Sequence, residues 1–153
     1  MRKRRSKKRG PVQAKRITYD GINFASGLER YMYMGLKKAK LKFKYEGETF
    51  ELIKGFEFIN ECIERQSNGK GEFKNRGNKK ILNIKYTPDF VGEDFIIECK
   101  GRANESFPMR WKLFKKWMTD NSDKRVLYKP QNQAEIDKTI AMILEKRKSL
   151  KNK

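Results

Sequence analysis

Tyr86-Thr87-Pro88-Asp89-Phe90, then a short Val91-Gly92-Glu93-Asp94 link, then Phe95-Ile96-Ile97-Glu98-Cys99-Lys100-Gly101: this stretch decides how the chain is read. Residues 81–86 are a strand candidate stopped by Thr87-Pro88-Asp89. Residues 94–100 are a second strand candidate, stopped by Gly101, and the link between them suits a hairpin. Alternate side chains of a strand share a face, so Glu98 and Lys100 point one way while Ile97 and Cys99 point the other. In one hairpin Asp89, at its turn end, approaches Glu98, and two hard carboxylates together make a site for Mg²⁺ or Mn²⁺. Lys100 then stands beside the metal, where it can position or deprotonate a water or stabilise charge growing on a phosphate. Pro-Asp alone is an ordinary turn, and Glu-x-Lys alone an ordinary surface charge pattern. Together they carry more weight, because charges set into a strand apolar enough to be central are costly when unpaired.

The composition points the same way. The chain has 153 residues, room for one modest domain. Lys and Arg number 38 against 19 Asp and Glu, a formal charge of +19, and histidine is absent. That absence excludes Ser-His-Asp and Cys-His nucleophile systems, HExxH zinc sites and histidine general bases, leaving carboxylates, lysine and metal. The positive excess calls for a polyanionic partner, since counterion release drives much nucleic-acid binding. Membrane-surface and ribosome-type binders share such a charge, so the choice rests on the site. With 37% hydrophobic and 12% aromatic residues, the chain can fold around a core. Cys62 and Cys99 cannot make a multi-disulfide framework, which fits a reducing, cytoplasmic setting. No apolar run approaches the ~20 residues that span a bilayer, and the basic start has no apolar region behind it to form a secretory signal. With no P-loop, zinc finger or dinucleotide fingerprint, no nucleotide cofactor is expected.

Along the chain, residues 1–16 read as a flexible basic arm and 17–153 as a single domain. Leu28, Met32, Gly35, Leu36 and Ala39 share a helical face that opens at Ser26-Gly27-Leu28-Glu29 and runs to about residue 40. Residues 41–52 give one or two strands, interrupted at Glu46-Gly47-Glu48. Residues 55–80 form an inserted basic loop whose part from Ser67 onward is exposed. Trp111, Phe114, Trp117 and Met118 mark a helix beginning at Pro108, with the aromatics as core and the lysines around it available to phosphates. A strand follows at 125–129. A last helix, with Asn132 and Glu135 as a capping box and Ile136, Ile140, Ile143 and Leu144 as its apolar face, runs into a basic tail. The order of elements gives a mixed α/β (α+β) domain. Ser26-x-x-Glu29 is also a capping box, in which Glu29 does no more than satisfy backbone donors.

With these motifs in place, the chain resembles the PD-(D/E)xK nuclease superfamily, with Asp89, Glu98 and Lys100 in the signature positions. The narrower likeness is to Holliday-junction resolvases of the phage T7 endonuclease I type. It is carried by Ser26-Gly27-Leu28-Glu29, Leu41-Lys42-Phe43-Lys44-Tyr45-Glu46, Tyr86-Thr87-Pro88-Asp89-Phe90 and Glu98-Cys99-Lys100-Gly101, over residues 24–118. The resemblance implies a restriction-endonuclease-like core, a central mixed sheet flanked by helices. It implies Glu29 as a further active-site carboxylate, Asp89, Glu98 and the Cys99 backbone carbonyl as metal ligands, and Lys100 as the catalytic lysine. The activity it implies is Mg²⁺- or Mn²⁺-dependent hydrolysis of DNA by a homodimer, with branched duplex as substrate. The 55–80 segment is longer than its counterpart in that family. DNA contacts are then expected from Arg2, Arg4, Arg5, Lys7, Lys8 and Arg9 of the arm, Lys70, Lys74 and Arg76 of the insertion, and Arg102, Lys112 and Lys115. Two rival readings are a sequence-specific or transposon-end endonuclease on the same fold, and a non-catalytic basic nucleic-acid binder.

Overall fold

The computed structural model describes residues 16–102 and 104–152. The arm residues from Arg2 to Arg9 therefore lie outside the described residues. The chain opens with a hairpin, β1 (Ile17–Tyr19) and β2 (Ile22–Phe24), joined by Asp20-Gly21. Both turn residues have positive φ, 54° and 73°, which a two-residue hairpin turn of this hand requires and which Gly21 adopts without steric cost. Helix α1 (Gly27–Lys38) starts at Ser26, whose Oγ accepts the Glu29 N–H, and has Lys37 and Lys38 at its C-terminal end, where they complement the helix dipole.

Strand β3 (Phe43–Tyr45) follows, and then six short strands: β4 (Phe50–Ile53), β5 (Phe56–Phe58), β6 (Ile63–Glu64), β7 (Lys74–Asn75), β8 (Lys79–Ile81) and β9 (Ile84–Tyr86). These pair in nested antiparallel fashion, β4 with β9, β5 with β8 and β6 with β7. The 55–80 segment, expected to be a loop exposed from Ser67 onward, is thus the greater part of a long two-stranded ribbon from Phe50 to Tyr86. Its charged pairs were legible in hindsight: Glu51 faces Lys85, Glu57 faces Lys80 and Glu64 faces Lys74 across the ladder. Gly77 permits the ribbon's close approach, since a Cβ there would run into the Asn60 carbonyl. The strand expected over 81–86 is divided between β8 and β9, with Leu82 and Asn83 outside both.

The centre is a four-stranded mixed sheet. β10 (Phe90–Gly92) pairs antiparallel with β3 on one side and with β11 (Phe95–Ile97) on the other, and β11 pairs parallel with β12 (Val126–Tyr128). Between β11 and β12 runs α2 (Phe107–Asp120), and α3 (Gln133–Lys151) ends the fold. Strand alternation sorts the core into two layers. Phe90, Phe95 and Ile97 pack with Met32 and Leu36 of α1 and Ile136 and Ile143 of α3. Val91 and Ile96, on the other face, pack with Trp111, Phe114 and Met118 of α2 and with Phe50 and Tyr86 at the ribbon's root. The sheet therefore separates α1 and α3 from α2. Arg147 of α3 holds Asp94 of the β10–β11 turn, so the last helix is bound to the sheet by charge as well as by apolar burial. No helix among the described residues is long and apolar enough to cross a membrane.

Candidate active site

The hairpin expected from the sequence forms, with different strands. Its arms are β10 and β11. The segment before Thr87 belongs to the ribbon, and Asp89 stands at the hairpin's open end, away from the turn. The register Phe90↔Ile97 carries one step further to set Asp89 beside Glu98 and Cys99. The Glu46 N–H donates to the Asp89 carbonyl at 2.8 Å, continuing the β3 ladder. Regular strand ends at Ile97, yet the backbone beyond it is not loose: the Glu98 N–H donates to the Tyr128 carbonyl and the Lys100 N–H to the Pro130 carbonyl, both at 3.0 Å. These bonds prolong the parallel ladder and preserve the alternation. Cys99 joins the layer of α1 and α3, and Glu98 and Lys100 face α2.

Each site carboxylate is held by named donors. The Cys99 N–H donates to Asp89 Oδ2 at 2.6 Å. Glu98, 5% exposed, accepts the Tyr86 hydroxyl on Oε2 at 2.7 Å, and its Oε1 lies 3.5 Å from Lys100 Nζ. Glu29, buried in the first turn of α1, accepts the Tyr45 hydroxyl on Oε2 at 2.6 Å, the Ala25 N–H on the same oxygen at 3.3 Å, and the Ser26 hydroxyl on Oε1 at 2.8 Å. Glu29 is therefore a capping residue. It is also a neighbour of the other two carboxylates, since its charge acts on both Asp89 and Glu98.

The electrostatics are those of acids gathered out of water. Burial, then Glu98 and Glu29, push Asp89 up to about 8, against the pull of the Cys99 N–H and of Lys100. Burial also raises Glu98, while Tyr86 and Lys100 draw it back. Burial and the nearby carboxylates hold the Tyr86, Tyr45 and Cys99 protons firmly in place. The two phenols are consequently donors to Glu98 and Glu29. They are the site residues that sequence reasoning missed, although both lie inside motifs quoted above; Tyr45 pairs with Phe90 of the central sheet and Tyr86 with Phe50 at the ribbon's root.

The fit to a divalent cation is one of chemistry. The donors are hard oxygens, and a cation would offset the repulsion that raises Asp89. Among the described residues, however, no three Cys, Asp or Glu side chains converge closely enough to hold one ion between them. In this conformation Asp89 Oδ2, Glu98 Oε2 and both Glu29 oxygens accept hydrogen bonds from protein donors.

The expected DNA contacts fall into separate groups. Lys70 lies at the ribbon tip, and Lys74 lies 3.8 Å from Glu72. The Arg76 guanidinium donates to the carbonyls of Glu64 and Glu72, both at 3.1 Å, so it braces the ribbon. Lys112 and Lys115 are exposed on α2, with Lys115 beside the Trp111 ring, and Arg102 is exposed just beyond Lys100.

A small mixed-sheet domain with a carboxylate and lysine cluster at one end of its strands is the class that fold and site define. By sequence comparison the chain belongs to the DUF1064 family, described as proteins of unknown function, whose model matches residues 7–131. No curated protein and no solved structure matches it. The family match takes in α1, the ribbon, the central sheet and α2, and ends just before α3.

Two outcomes test this geometry. Asp89 titrates near 8 when folded and near 3.8 as a free side chain. Its protonation therefore supports the fold fully below about pH 4, and that support is lost as pH rises through about 8. In EDTA, Asp89→Asn is expected to melt higher than the parent at about pH 9, with the gap closing toward about pH 4. Thermal melts across that range check it. Glu29→Gln removes the charged acceptor of Tyr45 and Ala25, and is expected to destabilise by about 1–3 kcal/mol, read as a fall of roughly 2–4 °C in Tm per kcal/mol.

Proposed function

We propose that the protein is a divalent-metal-dependent endodeoxyribonuclease of the PD-(D/E)xK type, selective for branched duplex such as four-way junctions. The observation that carries the reading is the placement of Asp89 beside Glu98 at the open end of one hairpin. Lys100 stands 3.5 Å from Glu98 on the same face, and Glu29 lies near enough to act on both acids. Mg²⁺ or Mn²⁺, held by Asp89, Glu98 and the Cys99 carbonyl with Glu29 nearby, would supply Lewis-acid stabilisation of the scissile phosphate. Lys100 orients a water for attack and balances the charge that builds on phosphate oxygens. Tyr86 and Tyr45 fix the aim of Glu98 and Glu29. With no histidine in the chain, proton movement falls to Lys100 and the carboxylates.

The ribbon supports the homodimer. An isolated two-stranded ribbon is marginal in water, and this one leaves Phe56, Ile63, Phe73 and Leu82 exposed. A second copy would cover them and present two sites to opposing strands. The free thiols of Cys62 and Cys99 suit a reducing cytoplasm.

The deciding experiment incubates the full chain with a labelled four-way junction, linear duplex and single strand, with Mg²⁺ or with EDTA. Cutting of the junction in Mg²⁺ alone is expected. Lys100→Ala and Asp89→Asn keep most of the binding and lose the cutting. Equal cutting of linear duplex and junction favours the sequence-specific or transposon-end alternative, and no cutting with steeply salt-dependent binding favours the non-catalytic binder. In sedimentation equilibrium, the double change Phe56→Ser and Leu82→Ser is expected to shift the chain toward monomer at a given concentration.

A further inference from the structure

We propose that Lys129 and Arg110, together with Lys100, form a binding site for a backbone phosphate of the nucleic-acid strand, beside the carboxylates. The inference rests on the nuclease reading above and adds residues that neither the motifs nor the resemblance pointed to. Lys129 follows β12, which runs parallel to β11 with Ile97 opposite Tyr128. Because Glu98 and Lys100 donate their N–H groups to Tyr128 and Pro130, Lys129 lies between these two acceptors on the neighbouring strand. Leu127 packs in the α2 layer, and alternation sets Lys129 on that same face, with Glu98 and Lys100.

Side-chain geometry brings the cations together. Lys100 Nζ lies 4.7 Å from the centroid of the Phe107 ring, and Lys129 Nζ lies 5.8 Å from the same centroid. Phe107 is buried at the start of α2. Arg110 lies one turn further along that helix from Phe107 and is exposed. Among the described residues, Lys100 has Glu98 as an ion-pair partner, while Lys129 and Arg110 have none.

Of these cations, Lys129 and Arg110 thus have no matching anion among the described residues. Two ammonium groups approach one aromatic ring. The first turn of α2 contains no acidic residue, and its first N–H donates to Asn104 Oδ1 at 2.9 Å, a neutral acceptor that leaves the positive end of the helix dipole without an anion in that turn. An anion beside Phe107 would offset both the ammonium charges and the positive end of the helix dipole. A nucleic-acid strand fits better than a lone phosphate, because linked phosphates can meet Lys100 at the carboxylates and the Lys129 and Arg110 pair at once.

The test measures binding of the full chain to a fluorescein-labelled linear duplex in EDTA, by anisotropy over a series of salt concentrations. The parent is compared with Lys129→Met, Arg110→Met and Lys129→Arg, and Tm is recorded for each. Each Met variant is expected to bind more weakly and to flatten the log–log salt slope by about one, with Tm unchanged. Lys129→Arg, which keeps the charge, is expected to retain the slope. An unchanged slope in both Met variants, an equal loss in Lys129→Arg, or no duplex binding by the parent overturns the site. Cleavage in Mg²⁺ is scored separately: cutting that persists with an unaltered slope removes this site and leaves the nuclease reading standing. Salt slopes that respond in a protein that never cuts do the reverse.

Discussion

The Cys99 N–H donates to Asp89 Oδ2 at 2.6 Å across the open end of the β10–β11 hairpin. That bond exists because β10 and β11 pair in the register Phe90↔Ile97, and the register is held from both faces. Phe90 and Ile97 are fully buried against α1 and α3, while Val91 and Ile96 are buried against α2. A one-residue slip would turn each apolar side chain toward the wrong layer. It would also part Asp89 from Glu98. The same burial that fixes the core thus fixes the distance between the site acids, and it drives Asp89 toward neutrality by withdrawing water from it.

This constraint explains why the carboxylates come from three elements. Asp89 and Glu98 are neighbours on paired strands. Glu29 comes from the start of a helix on the opposite layer, steadied by the Tyr45 hydroxyl from β3. Tyr45 is itself paired with Phe90, so the element that orients Glu29 is in register with the one that carries Asp89. The capping and site roles of Glu29 are compatible. The capping box determines where the carboxylate sits, and the surrounding acids determine its electrostatic surroundings.

What the sequence disclosed followed from period and spacing. The alternation of Glu98, Cys99 and Lys100 survives past the regular strand because the ladder to Tyr128 and Pro130 continues. The last helix is capped at Asn132, whose Oδ1 accepts the Glu135 N–H as the capping box predicts, while the Glu135 carboxylate reaches one residue further back and accepts the Gln131 N–H. The ribbon was harder to read, because its Gly, Asn and Lys residues have the composition of a loop and its strands are two to four residues long. Only cross-strand pairing, a property of residues up to 36 positions apart, as with Phe50 and Tyr86, distinguishes it from a loop. The Asp20-Gly21 hairpin carried a local signal, a two-residue turn between short β-prone runs, but lay between the basic arm and the first helix. Lys129 was hidden for another reason: its importance comes from a parallel neighbour strand and a ring on α2, and no spacing rule connects those three elements.

The net charge of +19 and the acidic site act on different length scales. At physiological ionic strength exposed charges farther apart than about 8 Å are largely screened from one another. The exposed lysines of the ribbon and of α2 therefore cannot neutralise Asp89, Glu98 and Glu29; they can only raise the local concentration of a polyanion. Charges that sit within the site must do the local work, and there the arrangement is asymmetric. Lys100 is close to Glu98 and partly spent on it, whereas Lys129 shares the Phe107 ring with no acid in ion-pair range among the described residues. A phosphate arriving at this end of the sheet thus meets repulsion from the carboxylates on one side and uncompensated cations on the other. On the nuclease reading proposed above, that balance favours a strand lying along Phe107 and α2, with the phosphate to be cut at the border between Lys100 and the acids.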